Sequence, residues 1–437
     1  MSAKAVEDVF AHESLIGQEF DLESGPLWRV ALYETGVDSQ NGGCFIALTI
    51  SHIITDGSGV LELFRRIVQN PRNNSPIKKS IGLAPRAEDT MNLWPAFIPA
   101  AKSLFQEIFI QTVHTLLRAY VRKIPFWPTP SSILAKPVQC KTRRTFLDFE
   151  DDKDSMVSGL KRFDVVTGCG TLHSLIPTAN LIALLAAIEN SRHAGALLNE
   201  EPFAITNETP IAFRSEKDDH PPPTGNYTGV GEFSSLASKL KTPIIRDLST
   251  IYGNRIHSPE GRQEALRRTG MLRLIPDFPS IIPKNSNTFK IEGSKVTPCP
   301  TGWESFLLIQ ADSPAPYRSS FAASNLGLLS PSSIADTVVQ SMSGLWFAQS
   351  PMPCGSAIYL DVVSCKSNDD ANSPEGKSQL GIAISWLDGV FDDKFMPYFV
   401  RALTDILRTF STSCIESGDA ANILSDIHVD FCRTCNT

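Results

Sequence analysis

Apolar runs and polar turns alternate in the N-terminal part of the chain, which predicts two strands followed by a helix. The segments 27–34 (LWRVALYE) and 44–51 (CFIALTIS) have strand composition, and the second is almost wholly apolar, as in a strand covered on both faces. A turn through Asp56 and Gly57 then leads to a helix. Its apolar positions recur at helical spacing: Val60, Leu61, Phe64, Ile67 and Val68.

A second apolar pattern covers residues 93–128 and predicts a basic amphipathic helix. The apolar positions at helical spacing are Phe105, Ile108, Phe109, Val113, Leu116, Leu117, Tyr120 and Val121. The charged positions are Lys102, Arg118, Arg122 and Lys123, with Glu107 as the single acid. Such a helix packs on its own protein or lies on a membrane surface. We favour packing, and a lid or a peripheral membrane contact stays open as the alternative.

The pattern restarts after a proline-rich break at 125–137 and predicts a mixed α/β architecture. Strands are predicted at 143–150, 203–213, 226–234, 303–311, 337–347, 356–364 and 380–386. Helices are predicted at 152–162, 171–190, about 235–273 and 392–411, and polar loops at 276–300 and 312–320. Because strands and helices do not alternate as in βαβ repeats, we expect an α/β (α+β) fold with mixed sheets. It would have two lobes, 1–135 with the amphipathic insertion and 136–437.

Composition excludes several classes of protein. Of the 437 residues, 42% are hydrophobic and 20% are charged, which suits a folded protein with a sizeable core. The 40 basic and 47 acidic residues give a net charge of −7, which argues against a nucleic-acid binder. The first residues lack the apolar core of a signal peptide, and no run has the roughly 18 apolar residues of a membrane span. We therefore expect a cytoplasmic protein.

Cysteine and histidine spacing predicts neither a disulfide framework nor a metal site. The nine cysteines are odd in number and scattered along the chain. Cys432 and Cys435 form a single C-x-x-C, without the second pair that completes a tetrahedral zinc site. The histidines outside the segment discussed next also lack metal-ligand spacing: His12, His114, His173, His193, His220, His257 and His428.

The strongest chemical signal is His52-Ile-Ile-Thr-Asp56-Gly57, directly after the second predicted strand. Histidine titrates near neutrality and therefore suits proton abstraction from a hydroxyl or an amine. Asp56 would orient the turn, and Gly57 would leave a backbone N–H facing a developing oxyanion. The alternative is a strand-end turn whose polar groups only satisfy the backbone. The spacing alone does not decide between the two.

The surrounding sequence adds a family resemblance. Residues 20–32, FDLESGPLWRVAL, resemble the F-D-L-x-x-G-P-L-x-R-V segment of condensation-type acyltransferases. The whole of 20–67 resembles the H-x-x-x-D-G region of the superfamily of chloramphenicol acetyltransferase and carnitine acyltransferases. That superfamily includes non-ribosomal peptide condensation domains and plant and fungal O-acyltransferases. The motif here has a single histidine, Ser51-His52, where condensation domains have two. In this it is most similar to the motif of fungal alcohol and trichothecene O-acetyltransferases. Softer resemblances lie at 210–214, 224–227, 324–327 and 384–388.

This resemblance implies two chloramphenicol-acetyltransferase-like lobes that form a pseudo-dimer around a central tunnel, within a monomer. The implied reaction moves an acyl group, expected to be acetyl, from acyl-CoA to a hydroxyl of a hydrophobic, secondary-metabolite-type acceptor. Acyl-CoA is a co-substrate, and no bound cofactor is expected. His52 would be the general base, and Asp56 would hold the loop through an arginine. Arg214 is the candidate for that arginine and a candidate substrate contact. Ser324 and Asn325 would line the tunnel, unless they form a plain strand-end turn.

Two departures from the superfamily keep other interpretations open. The D-F-G-W-G segment of many plant members is absent, and only about twenty residues precede the F-D-L block, so we expect a shortened N-terminal segment. One alternative is a condensation-like enzyme that uses a carrier-bound thioester, although no carrier-like region is present. Another is a non-catalytic remnant of the fold. A hydrolase is disfavoured, because the chain has no G-x-S-x-G motif.

Overall fold

The computed structural model describes ten stretches of the chain and a few single positions between them. The stretches are 3–34, 44–68, 125–147, 156–193, 202–214, 224–240, 245–272, 313–329, 344–366 and 378–412. The amphipathic segment 93–128 lies almost wholly outside the described residues, as do the predicted loop 276–300 and the pair Cys432 and Cys435.

The N-terminal part consists of a helix, a hairpin and a second helix. Strands β1 (Trp28–Glu34) and β2 (Cys44–Ile50) pair antiparallel, with Trp28 opposite Ile50. Helix α1 (Ala3–Gln18) packs against β2, and helix α2 (Gly57–Val68) follows the hairpin.

Polar contacts join α1 to the hairpin. Glu13 is buried and accepts hydrogen bonds from the Tyr33 hydroxyl and from Thr49 Oγ1, the latter at 2.6 Å. Arg29 Nε lies 3.6 Å from the same carboxylate. A buried carboxylate with these partners keeps its hydrogen bonds without water, which fixes α1 on one face of the hairpin.

Within the described stretches, the main sheet has six strands in the order β3-β8-β7-β6-β4-β5. The strands are β3 (Thr142–Leu147), β4 (Ala204–Ala212), β5 (Thr228–Leu236), β6 (Ser319–Leu329), β7 (Ser356–Lys366) and β8 (Ser378–Leu387). Strand β6 runs parallel to both β4 and β7, and the other pairs are antiparallel. The sheet is therefore mixed, as the sequence predicts.

Three helices bury one face of this sheet. They are α3 (Met156–Thr167), α4 (Leu172–His193) and α8 (Phe395–Thr412). The predicted inner face of α8 is buried at all five positions: Phe395, Phe399, Leu403, Ile406 and Leu407. Among the described residues, α4 is the one helix long and apolar enough to cross a bilayer, and most of it is buried inside the protein. Its apolar character therefore serves the core.

Three shorter helices follow β5. They are α5 (Ala237–Leu240), α6 (Ile245–His257) and α7 (Pro259–Met271). Ser258 caps α7, because its Oγ accepts from Gly261 N at 3.0 Å and Pro259 occupies the first helical turn.

The opposite face of the sheet contacts the segment 344–350 through polar groups as well as through Trp346 and Ala348. Asp361 of β7 is buried there and accepts from the backbone and side-chain nitrogens of Gln349, at 2.7 and 3.0 Å. Arg144 of β3 donates to Ser350 Oγ at 2.9 Å and also to Ser14 of α1. These bonds fasten both 344–350 and α1 to the main sheet.

Most predicted elements of the second half are confirmed within a few residues. Strands β3, β4, β5, β7 and β8 and helices α4 and α8 all coincide with predicted spans. The predicted helix 152–162 is found as α3, beginning at Met156. The division into lobes near residue 135 and the pseudo-dimer stay predictions. Eight residues before position 135, Trp127 N donates to Ala204 O of β4 at 2.9 Å.

The predicted helical tract 235–273 is confirmed as three helices, α5, α6 and α7. The predicted loop 312–320 is confirmed at 313–318, up to the start of β6 at Ser319. Two predictions are wrong. The predicted strand 303–311 is helical at its described positions, Leu307 and 310–311. Of the predicted strand 337–347, the described residues 344–347 form no strand. Helix α1 lies in a region where the sequence pattern predicts no element.

Candidate active site

His52 lies in a tight loop between β2 and α2. The loop begins where Ser51 N donates to Leu27 O at 2.8 Å, and Ile54 N then donates to Ser51 O at 3.2 Å. The His52 side chain is exposed at this turn. The strand therefore delivers the imidazole to the surface of the N-terminal part, where it can meet another molecule.

Asp56 is the buried anchor of this loop. Its side chain is 2% exposed, and Oδ1 accepts from Gly59 N at 2.9 Å, which caps the first turn of α2. The same oxygen accepts from Nε and Nη2 of Arg214, at 3.0 and 2.9 Å. The other oxygen, Oδ2, accepts from Tyr227 N at 2.9 Å. Both carboxylate oxygens therefore accept hydrogen bonds that hold the loop.

Arg214 reaches Asp56 from the end of β4 in the main sheet. Its side chain is 8% exposed, and Nη2 also donates to Gly225 O at 2.7 Å. The guanidinium lies 4.9 Å from the ring centroid of Tyr227, a cation–π distance. The predicted pairing of Asp56 with Arg214 is present. Because its donors are committed to these groups, Arg214 has the geometry of a loop-holding residue.

The turn 224–227, Thr-Gly-Asn-Tyr, contacts the His52 loop directly. Gly225 N donates to Ile54 O at 2.8 Å. Gly225 has φ +89°, and a Cβ there would lie 2.6 Å from the Tyr227 ring, so only glycine fits. Asn226 then places its side-chain amide 3.4 Å from His52 Nδ1.

Gly57 begins α2 and lies against β6. A Cβ at this position would lie 2.7 Å from Cδ2 of Leu326, so glycine permits the close approach of the two elements. Leu326 is two residues from Ser324 along β6. The start of α2, the predicted source of an oxyanion N–H, is therefore next to the part of β6 that the sequence singled out.

Ser324 and Asn325 lie inside β6 and not in a strand-end turn. Ser324 is buried and pairs in register with Asp361 of β7. Asn325 stands at a register shift, and its Oδ1 accepts from Gly327 N at 2.8 Å, where Gly327 has φ +80°. A β-bulge at this point redirects the side chains that follow it. Lining of a tunnel by these two residues stays a prediction.

Asp361 is a buried acid that sequence reasoning missed. Burial raises its pKa to about 7, against the opposing effects of the Gln349 hydrogen bonds and the positive charge of Arg144. The signal that could have found it is its place as the single acid of the apolar strand β7, SAIYLDVVSCK. Among the described residues, no cluster of histidine, cysteine and acidic side chains has the grouping needed to hold a metal ion.

Comparison with known proteins identifies the fold. The sequence matches no protein-family model and no curated protein. Its structure is similar to the condensation domain from Monacolin K polyketide synthase MokA, with a TM-score of 0.51 and 11% identity over 94% of this chain and 78% of that chain. The chain therefore has the fold of the condensation-domain and chloramphenicol-acetyltransferase-like proteins, as the resemblance implies.

Two further similar structures fall below a TM-score of 0.5 and carry no additional argument. TRI3 trichothecene 15-O-acetyltransferase from Fusarium sporotrichioides has a TM-score of 0.49 and 12% identity, over 92% of this chain and 74% of that one. The epimerization domain from the third module of tyrocidine synthetase B has a TM-score of 0.45 and 13% identity, over 95% and 78%. At these identities the likeness concerns the fold alone.

Proposed function

We propose that the chain is an O-acyltransferase that moves an acyl group, preferentially acetyl, from acyl-CoA to a hydroxyl of a hydrophobic small molecule. The observation that carries this proposal is the His52 loop. Its imidazole is exposed, while the neighbouring Asp56 is buried and held by Arg214, Gly59 and Tyr227. A loop held this firmly around an exposed histidine suits a positioned general base better than a turn that only satisfies its backbone.

The proposed chemistry needs one histidine and no covalent acyl-enzyme. Nε2 of His52 accepts the proton of the acceptor hydroxyl while the hydroxyl oxygen attacks the thioester carbonyl carbon. The tetrahedral intermediate collapses, its carbon–sulfur bond breaks, and the leaving thiolate takes the proton back from the imidazolium. The backbone N–H groups at the start of α2, Gly57 included, are the proposed donors to the oxyanion.

The test is transfer from acetyl-CoA to a panel of hydrophobic alcohols, followed by release of free thiol and by the mass of the product. We expect release that depends on the acceptor, and a loss of about 10²- to 10⁴-fold in His52→Ala. His12→Ala is the matched control, because His12 is exposed on α1 and is expected to leave the rate unchanged.

A second donor separates the proposal from its alternatives. Acetyl-pantetheine on a carrier protein replaces acetyl-CoA in a parallel reaction. Transfer from the carrier alone would favour a condensation-like enzyme. A folded protein that releases no thiol from either donor, with every acceptor, would contradict the proposal and favour a non-catalytic remnant.

A further inference from the structure

Asn226 is the residue of the second half whose side chain reaches the imidazole. Its Nδ2 and His52 Nδ1 are 3.4 Å apart, and among the described residues this is the hydrogen bond that the ring makes. The distance is long for a hydrogen bond, as is common in catalytic sites without substrate, where such contacts shorten when substrate binds.

The backbone on both sides of Asn226 is fixed to the same loop. Before it, Gly225 N donates to Ile54 O at 2.8 Å. After it, Tyr227 N donates to Asp56 Oδ2 at 2.9 Å. The backbone of Asn226 therefore stays beside the His52 loop unless one of these bonds breaks.

The atom of the Asn226 amide that faces Nδ1 determines which nitrogen of the His52 ring carries the proton. An asparagine amide presents either a donor or an acceptor, because a half-turn of its last torsion exchanges Nδ2 and Oδ1 and leaves the other atoms in place. If nitrogen faces the ring, Nδ1 of His52 is the acceptor and Nε2 carries the proton. If oxygen faces the ring, Nδ1 carries the proton and Nε2 is free to act as a base.

We infer that Asn226 is a positioning residue that accepts a hydrogen bond from Nδ1–H of His52 through Oδ1 and so keeps Nε2 unprotonated. This inference rests on the proposed function, since only a general base needs that tautomer. Asn226 occupies the side of the ring that bears Nδ1, which leaves Nε2 for the acceptor hydroxyl. The buried Asp56 cannot do this work, because its oxygens are taken by Arg214 and by backbone N–H groups.

The direct test is the tautomer of His52 in the full-length protein labelled with ¹⁵N-histidine. Two-bond ¹H–¹⁵N correlation spectra distinguish a protonated from an unprotonated ring nitrogen, and His52→Gln assigns the signals. In the wild type, above the titration midpoint of the ring, we expect the proton on Nδ1. In Asn226→Leu we expect it to move to Nε2, while the signals of the other histidines stay in place.

Two further variants exclude a merely structural effect. In Asn226→Asp a carboxylate replaces the amide and keeps an acceptor at Nδ1, so we expect the Nδ1–H tautomer to be retained. Asn254→Leu makes the same exchange at an exposed position of α6 and is expected to leave the His52 signals unchanged. A wild-type ring protonated on Nε2, or an unchanged tautomer in Asn226→Leu, would overturn the inference.

Kinetics provide the second readout where transfer is observed. Asn226→Leu should lower kcat by at least about tenfold with little change in KM. The substrate still binds, but Nε2 of His52 carries the proton and cannot accept another from the acceptor hydroxyl. Asn226→Asp should retain activity, because it keeps an acceptor at Nδ1. If no donor gives transfer, the tautomer measurement still decides the role of Asn226, so failure of the proposed function is distinguishable from failure of this inference.

Discussion

The pair of Asp56 and Arg214 is a buried link between two parts of the chain that are far apart in sequence. Their side chains are 2% and 8% exposed, and the acid also receives two backbone hydrogen bonds. Removing one member of such a pair leaves the other charge buried without compensation. The link therefore bears on stability as well as on the position of His52.

Asp56→Ala is expected to lower the free energy of unfolding by about 3–5 kcal/mol, because Arg214 is left uncompensated and α2 loses its cap. Urea denaturation measures the change. The double variant Asp56→Leu with Arg214→Met should recover part of the loss. Asp388→Asn, which breaks the exposed pair with Arg143, is the control and should change little. Equal effects of Asp56→Ala and Asp388→Asn would refute the structural importance of the buried pair.

At the residue scale, the family resemblance predicted the pairing of Asp56 with Arg214, but not the other contacts that hold the His52 loop. His52, Asp56 and Gly57 are recognisable because side-chain type and spacing carry the signal. The bond from Tyr227 to Asp56 is made by a backbone N–H, which leaves no trace in residue type. The contact between Asn226 and His52 depends on a turn 174 positions along the chain, so only the folded structure shows it.

At the scale of elements, α3 and α8 approach each other at a glycine. A Cβ on Gly159 would lie 2.4 Å from the carbonyl oxygen of Ser411, which belongs to the backbone and cannot rotate away. The stacked rings of Phe163 and Phe410, 4.5 Å between centroids, lie in the same interface. This part of the core is therefore packed too closely to accept an additional methyl group.

Gly159→Ala is expected to destabilise the protein by about 1–3 kcal/mol, although alanine is the better helix former, because the two helices must separate. Thermal unfolding followed by circular dichroism measures the effect. Ser158→Ala, the neighbouring position on α3, is the matched control and should be near neutral. A rise in Tm for Gly159→Ala would show that helix propensity outweighs the contact.

The sequence predicts an element where its apolar periodicity is strong. The prediction fails where contacts with neighbouring strands or helices determine the structure. Helix α8 was predicted because its buried stripe is regular. Strand β6 was missed because its sequence, SSFAASNLGLL, is rich in small and polar residues with weak strand preference, and it is a strand because β4 and β7 flank it. The apolar run 303–311 was taken for a strand because short apolar runs fit both kinds of element.

At the scale of the whole molecule, the buried Asp361 and the partly buried His173 give opposite dependences of stability on pH. Burial raises the pKa of Asp361 to about 7. The folded state therefore holds a proton that the unfolded state has lost between about pH 4 and 7, and stability falls as pH rises through that range. Burial, with a smaller effect of His257, lowers the pKa of His173 to about 4, so its contribution makes stability rise between about pH 4 and 6.5.

Because these two contributions oppose each other, each is measured by substituting its own group and comparing the variant with the wild type. In Asp361→Asn, the free energy of unfolding relative to the wild type should increase by about 1.4 kcal/mol per pH unit between pH 4 and 7 and then level off. Urea denaturation at several pH values measures this difference. His173→Gln, which removes the opposing group, should show the reverse slope. A difference that stays constant with pH in Asp361→Asn would contradict the raised pKa.

The link between the His52 loop and the turn 224–227 has a consequence for the protein during its synthesis. The hydrogen bond from Tyr227 to Asp56 spans 171 residues, so the partner of the loop emerges from the ribosome long after the loop itself. At about 5–20 residues per second this delay lasts about ten to thirty seconds. Throughout it the carboxylate of Asp56 has neither Arg214 nor Tyr227 as a partner. The nascent chain thus carries His52 long before the arrangement that would make it a base, which is completed only after residue 227 has been translated.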